Sequence, residues 1–476
     1  MPANASDKTT DFMATSPGIA PASSGMIARD TGTTEAGAPT TGGDRPMKRF
    51  SVAVLAVLLM GAAPVGDDYQ NLLSRLQITS LRAGADGMNP KAANAANYDE
   101  SKTGTYTLPD ALTLASGKPV TTADSWWKHR RPEIVAAFDS EVYGRVPANA
   151  PAVNWTITGA EVPAGRAVAA ITTHYVGHVD NRADPALSVD IAMAVTLPTH
   201  ANGKIPVMVV LTWTGKWASL PVPAGQGEDW RDQLLKAGWG YAEYVPTTVQ
   251  ADDPKKLREG IIGLTNKGAA RSPEQWGALR AWGWGVSRAV DALIADPRID
   301  AKRIGVAGHS RYGKAALVAM AYEPRLAIGY ISSSGTGGAK LWRRDFGERL
   351  ENLTGEGEHH WMAGNFLRYG GPKTAADLPV DSHELIALCA PRPVFISAGT
   401  REAGDGWVDA RGMFLATVAA GPVYKLLGAG DLGTETMPPV GTKVTKGALA
   451  FRQHPFGHTM QPNWESFLSF AKDELK

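Results

Sequence analysis

Residues 304–317 read Ile-Gly-Val-Ala-Gly-His-Ser-Arg-Tyr-Gly-Lys-Ala-Ala-Leu. A β-rich run stops at Gly308, and an Ala-rich helical pattern begins within two residues. That spacing leaves room only for a very tight strand–turn–helix junction, with small residues where strand and helix approach. Ser310 falls in the turn. Such a turn forces unusual backbone angles on the serine and lifts its Oγ above the sheet edge. The usual pattern of this kind has glycine two residues after the serine. Here Tyr312 holds that place and Gly313 follows. A plain capping serine is therefore the competing reading of this segment.

The elements around the junction define the fold class. Residues 153–160, 168–179 and 187–197 alternate as antiparallel strands do, and 205–212 is a continuous apolar run suited to a buried strand. Residues 239–245 read as a further strand. Strand and helix then alternate: helix 273–296, strand 303–308, helix 310–322, strands 326–332 and 393–399, helix 412–419, strand 423–427 and a closing helix 464–475. An earlier helix ends near Tyr143, with Asp124 as its expected cap. Early hairpins followed by parallel units predict an α/β-hydrolase: a mostly parallel central sheet with helices on both faces, a three-layer sandwich. No internal repeat and no second folded domain are visible.

The 476 residues are 43% hydrophobic and 20% charged, an ordinary globular balance. Lys plus Arg number 48 and Asp plus Glu 47, so the net charge is +1 and no broad field favours nucleic acid or an anionic membrane. No spacing of metal ligands and no phosphate-binding loop is present. The single cysteine, Cys389, lies in an apolar run and is expected to be a buried thiol. Residues 1–46 are rich in Ala, Thr, Gly, Pro and Ser and read as a disordered extension. Met47-Lys48-Arg49, an apolar stretch and Gly61-Ala62-Ala63 make 47–65 a secretory signal peptide, with a buried hydrophobic helix as the alternative. Residues 66–105 are polar and Ala/Asn-rich and are expected to be a flexible lead-in to one catalytic domain, 106–476. Export is expected, without membrane attachment after signal removal.

In this fold class the order is serine, acid, histidine. Of 10 histidines, only His454 and His458 follow the strand assigned to 423–427. His458 sits after Gly457, in the loop before the closing helix, and is the expected base; His454, before Pro455, is the runner-up. His309 shapes the turn and His383 is expected to cap a helix. The acid should follow strand 393–399. That loop holds Glu402, Asp405 and Asp409. Asp405, between two glycines, is best placed, and Asp409 suits a helix cap. The Arg311 amide opens a helix, where backbone N–H groups and the dipole favour negative charge. Arg311 and Lys314, one turn apart, add cations to the same cleft, or else form a solvated helix face. The 14 tryptophans are first of all core candidates, with stacking on sugar rings as a second use.

Gly308-His309-Ser310-Arg311-Tyr312-Gly313-Lys314 resembles the G-x-S-R-x-G-K signature of the glucuronoyl esterases, a carbohydrate esterase family. The resemblance runs from about Leu108 to the C-terminus. It takes in Trp126, Arg130-Arg131-Pro132-Glu133, Tyr143-Gly144-Arg145, Gly335-Thr336-Gly337-Gly338-Ala339, Leu341-Trp342-Arg343-Arg344, Phe346-Gly347-Glu348, His360-Trp361, residues 385–393 and Trp407-Val408-Asp409. It implies a cofactor-free serine esterase acting on the ester between 4-O-methyl-glucuronic acid of xylan and a lignin alcohol. It further implies Ser310 as nucleophile, Arg311 at the oxyanion, Lys314 on sugar hydroxyls, and Glu348 and Trp407 lining the uronate pocket with Trp361 nearby. Many members carry the acid just before the Ser-Gly of the glycine-rich segment, where this chain has Ser333; others use the later loop, which favours Asp405. The expected partner is a glucuronoxylan or lignin–carbohydrate ester, and the expected state a monomer. An acetyl-xylan or general carboxylesterase, and a non-catalytic carbohydrate-binding homologue, are the rival readings.

Overall fold

A computed structural model of the protein describes residues 67–214 and 222–475. The expected extension and signal peptide lie outside the described residues. Among the described residues ten strands form one sheet: β1 Val153–Glu161, β2 Ala170–Val179, β3 Asp190–Pro198, β4 Ile205–Leu211, β5 Gly240–Tyr244, β6 Ile299–His309, β7 Ile328–Ser332, β8 Val394–Ala398, β9 Lys443–Val444 and β10 Leu449–Gln453. Their spatial order is β1-β2-β3-β5-β4-β6-β7-β8-β10-β9. The first three strands and β5 pair antiparallel; β5, β4, β6, β7, β8 and β10 run parallel; β9 returns antiparallel at the edge. This is the α/β-hydrolase arrangement expected.

The period of two sorts the core. Val207, Val209 and Leu211 of β4 face one layer with Ile304 and Val306 of β6, against the helices Ala278–Ala295, Arg311–Tyr322 and Ala410–Leu426. Met208 and Val210 face the other, with Ala307, Tyr330 and Phe395, under the helices Trp230–Lys236 and Trp464–Glu474. There Trp464 and Phe467 pack on Tyr330 at ring centroid distances of 5.0 and 5.2 Å. Each such buried side chain is worth roughly 1.5–3 kcal/mol against exposure. Trp126, Trp276, Trp282 and Trp464 are fully buried, as is Cys389. No helix among the described residues is long and apolar enough to cross a membrane.

Four local expectations are corrected. Residues 423–427 are not a strand: the helix Ala410–Leu426 runs through Pro422. Val423 and Tyr424 are fully buried on its core side, and that burial outweighs the proline's local cost. The last parallel strand is β10. Thr122, not Asp124, caps the first turn of the early helix, and Asp381, not His383, caps Ser382–Ala387, while His383 bonds the carbonyl of Pro109.

The fourth concerns residues 67–105, expected to be flexible and instead packed on the body. The helix Asp68–Arg75 buries Tyr69 and Leu72, and Asp68 meets Arg271 at 2.9 Å, both almost fully buried. Tyr69 donates to the carbonyl of Thr354. The polar composition misled because Arg82, Tyr69 and Asn97 donate to carbonyls between Asp345 and Lys373, far along the chain, while Asp86, Asn89 and Asp99 close local turns. Burial would raise the Asp68 carboxyl, but the Arg271 charge and the His359 hydrogen bond hold it well below the usual range. This stabilisation is therefore present above the unfolded pKa near ~4 and is lost as pH falls through the lower folded value. Replacing Arg271 by Ala leaves the carboxylate buried without its main partner, and urea denaturation at neutral pH should read a loss of about 3–5 kcal/mol.

Candidate active site

The C-terminal ends of the parallel strands carry the candidate residues, the edge where ligands sit in open α/β sheets. β6 ends at His309, and Ser310 adopts φ 58° and ψ −130° before the helix Arg311–Tyr322. A non-glycine residue held there stores strain, as expected of a nucleophile elbow. The turn is held by the Ser310 amide on the Ser332 carbonyl at 3.0 Å. The glycine spacing now has a physical reason. A Cβ at Gly313 would stand 2.6 Å from the Ser332 carbonyl oxygen on β7, and one at Gly308 would drive into the Tyr312 carbonyl. Position 312 faces elsewhere, with its ring against Trp213 and Trp282 at 4.3 and 5.4 Å.

His458 lies in the loop after β10. Its Nδ1 is 2.6 Å from Asp405 Oδ1. Asp405 is buried, and its Oδ2 accepts from Ser333 Oγ at 2.8 Å and the Gly399 amide at 2.6 Å. Burial would raise the Asp405 carboxyl, but the His458 hydrogen bond, helped by those two donors, keeps it low and ionised. A carboxylate accepts only, so the proton on this imidazole sits at Nδ1, leaving Nε2 with its lone pair. The His458 ring is 4.3 Å from the ring of His309, the residue before Ser310, and its side chain is 41% exposed. Burial and the neighbouring His458 keep His309 well below the usual imidazole range, hence neutral. The alternatives are committed elsewhere. His454 is buried and bonds the Thr459 carbonyl and the Phe456 amide. Glu402 is exposed. Asp409 caps the helix Ala410–Leu426 through the Gly412 amide and binds Arg344 at 2.9 Å.

The two cations divide. Lys314 is buried, and its Nζ donates to the Thr336 carbonyl at 2.6 Å and to both oxygens of Glu348 at 3.1 and 3.2 Å. The Arg311 side chain is 38% exposed and donates to Asp252 Oδ2 at 2.7 Å. Both cations lie over the Trp361 ring, at 5.1 Å for Arg311 and 5.9 Å for Lys314. Trp361 itself is 4% exposed, so it underlies the cations rather than offering an open face. Trp407 is half-buried, and its carbonyl accepts from the Glu348 amide, which joins the two loops.

Two residues escaped the sequence reading. Asp252 accepts from His360 Nε2 at 2.9 Å, Trp361 Nε1 at 2.7 Å and Arg311. Against its burial, those hydrogen bonds and the Arg311 charge hold its pKa at about 2. In the sequence it is one of two adjacent aspartates after a strand, with no signal to choose it. Glu358 has a buried Oε2 without a hydrogen-bond partner among the described residues. Burial first, then the charge of Glu348, lift its pKa to about 7 against the pull of Lys314 and Arg311.

Two outcomes are expected. Asp252→Asn removes the charge that aims Arg311, so kcat of ester cleavage should fall about tenfold to a hundredfold with little change in melting temperature. For Glu358, the folded protein keeps a proton that the unfolded chain releases near 4.5, so the residue costs stability as pH rises and the full cost stands above about 7. The melting-temperature advantage of Glu358→Gln over the parent should accordingly be larger at pH 8 than at pH 5.

Known proteins share this architecture and sequence. A family model described as "Glucuronyl esterase, fungi" matches residues 183–428. The carbohydrate esterase MZ0003, from an unknown prokaryotic organism, is 32% identical over 414 residues, covering 80% of this chain and 92% of that protein. A 4-O-methyl-glucuronoyl methylesterase of Schizophyllum commune is 28% identical, over 67% of this chain and 74% of its own length. Among solved structures, a CE15 glucuronoyl esterase from Teredinibacter turnerae superposes with a TM-score of 0.81 at 45% identity, covering 86% of this chain and 99% of its own. One from Solibacter usitatus gives 0.69 at 34% identity, over 79% of this chain and all of its own. Matched across most of its length in both sequence and fold, the chain belongs to the glucuronoyl esterase family.

Proposed function

We propose that the protein is a serine esterase that hydrolyses esters of glucuronic acid, with the 4-O-methyl-glucuronate of xylan joined to a lignin alcohol as its natural substrate. The observation that carries this reading is the buried Asp405 carboxylate gripping His458 Nδ1 beside the strained turn at Ser310. His458 Nε2 takes the Ser310 proton as Oγ attacks the ester carbonyl. The tetrahedral oxyanion forms near the Arg311 amide and guanidinium, which together lower the barrier by a few kcal/mol. Collapse breaks the bond to the alcohol oxygen, and His458 returns the proton to the leaving alkoxide. A water, deprotonated by the same imidazole, then cleaves the acyl-enzyme to glucuronate and free Ser310.

The uronate identity rests on the surroundings. The buried Lys314–Glu348 pair fixes the segment whose Glu348 amide bonds the Trp407 carbonyl, and the half-buried Trp407 supplies an apolar face for a sugar ring. The names of the relatives, glucuronoyl esterases and 4-O-methyl-glucuronoyl methylesterases, support the same substrate class. In this reading residues 47–65 direct export, and the enzyme acts as a secreted or periplasmic monomer on glucuronoxylan or lignin–carbohydrate esters without a cofactor.

The test compares benzyl D-glucuronate, with and without the 4-O-methyl ether, against 4-nitrophenyl acetate. Preference for the uronate ester by kcat/KM is expected; a protein that cleaves only the acetate is a general esterase. Ser310→Ala should lower uronate-ester cleavage by about 10⁴-fold or more, and near-parental activity in that variant would refute the nucleophile.

A further inference from the structure

The segment expected to be a flexible lead-in reaches the candidate sugar pocket. Residues 86–96 form a self-contained turn: the Asp86 amide bonds the Asn94 carbonyl, the Ala96 amide bonds the Asp86 carbonyl, and Asp86 Oδ1 accepts from the amides of Met88 and Asn89. Both flanks are pinned to the segment that carries Glu348. On one side Asn352 bonds the amide and the carbonyl of Ala85 at 3.0 and 2.9 Å. On the other, the Asn97 carbonyl accepts from the Gly347 amide at 2.8 Å, and Asn97 Nδ2 donates to the Asp345 carbonyl at 2.7 Å. Arg401, from the loop that also bears Asp405, bonds the Tyr98 carbonyl and lies 4.8 Å over the Tyr98 ring.

Beside the Asp86 bonds that close this turn, Gly87 lies on the Trp407 indole. A Cβ built there would stand 2.6 Å from Cζ3 and 2.7 Å from Cε3 of that ring, closer than carbon atoms tolerate. The Tyr98 hydroxyl stands 3.5 Å from the same point. One side of the indole is therefore backed by bare main chain, while Trp407 keeps part of its surface exposed.

We propose that residues 84–98 are the back wall of the uronate pocket, and that the missing side chain at Gly87 sets how far the Trp407 indole stands back from the bound sugar. This rests on the reading, above, that Trp407 lines that pocket. Gly87 acts through Trp407 and touches no reacting atom, so it is a positioning residue. A methyl group at position 87 has to move either the wall or the ring. The wall is held at Ala85 and Asn97 by four hydrogen bonds to one segment, whereas the indole turns about its own side-chain bonds. The ring yields and narrows the pocket.

The experiment is Gly87→Ala in the full chain, assayed on benzyl D-glucuronate. KM should rise about fivefold or more while kcat changes less than about twofold, because the wall affects sugar binding and not the acyl transfer. In a Trp407→Ala background the same substitution should add nothing further, since the ring it displaces is gone. A crystal structure of Gly87→Ala should show the indole shifted. An unchanged KM, an equal fall of kcat, or an effect that persists without Trp407 overturns the wall. If the parent protein fails to cleave benzyl D-glucuronate, the functional reading is what fails, and the crystal structure alone decides the wall: a shifted indole upholds it and an unmoved one overturns it. Should Gly87→Ala not fold, Asn352→Ala releases one flank at Ala85 and should likewise raise KM with little change in kcat; an unchanged KM there overturns the wall as well.

Discussion

A buried carboxylate with three donors organises this molecule's working edge. Asp405 takes a hydrogen bond from His458, one from Ser333 at the end of β7 and one from Gly399 at the end of β8. An ionised carboxylate out of water is costly unless every lone pair is used. Meeting that condition ties the ends of β7, β8 and the loop after β10 to one another. The imidazole that results is fixed in tautomer and direction by the same contacts that keep the acid charged. Ser333, just past the end of β7, supplies the hydroxyl among the three donors.

Beside this clasp the charges are balanced pair by pair. Arg311 and Lys314 leave the same helix one turn apart, yet each is matched to a carboxylate from a different loop, Asp252 or Glu348, with the Trp361 ring beneath both. A near-neutral chain thus holds strongly localised charge where it is aimed, without a field over the whole surface. Glu358 sits among these groups with a pKa raised to about 7, because burial, and then the charge of Glu348, outweigh the pull of Lys314 and Arg311. Aiming matters more than charge count here. Arg311 is oriented by a carboxylate that is itself oriented by His360 and the Trp361 indole.

Much of the architecture was legible because it depends on periodicity. Alternating runs became β1 to β3, the continuous apolar run became β4 with both faces buried, and the strand–turn–helix at Ser310 followed from glycine and small residues in a short window. Errors arose where tertiary burial overrode local preference. Residues 423–427 read as a strand after helix 412–419, but the buried helix face around Pro422 carries the helix through to Leu426. Residues 67–105 looked disordered because their partners are backbone groups far along the chain, which no local window contains.

The sequence by itself determined the class of fold, the elbow serine, the family and a short set of acids and bases, since all of these follow from spacing within short windows or from motif order. Tertiary structure alone put Asp405, rather than Glu402 or Asp409, against His458, buried Lys314 against Glu348, brought Asp252 to Arg311 and laid Gly87 on Trp407. The reason is physical: a carboxylate's role depends on which donors surround it and how much water is excluded, and both are properties of segments that meet only when the chain has folded.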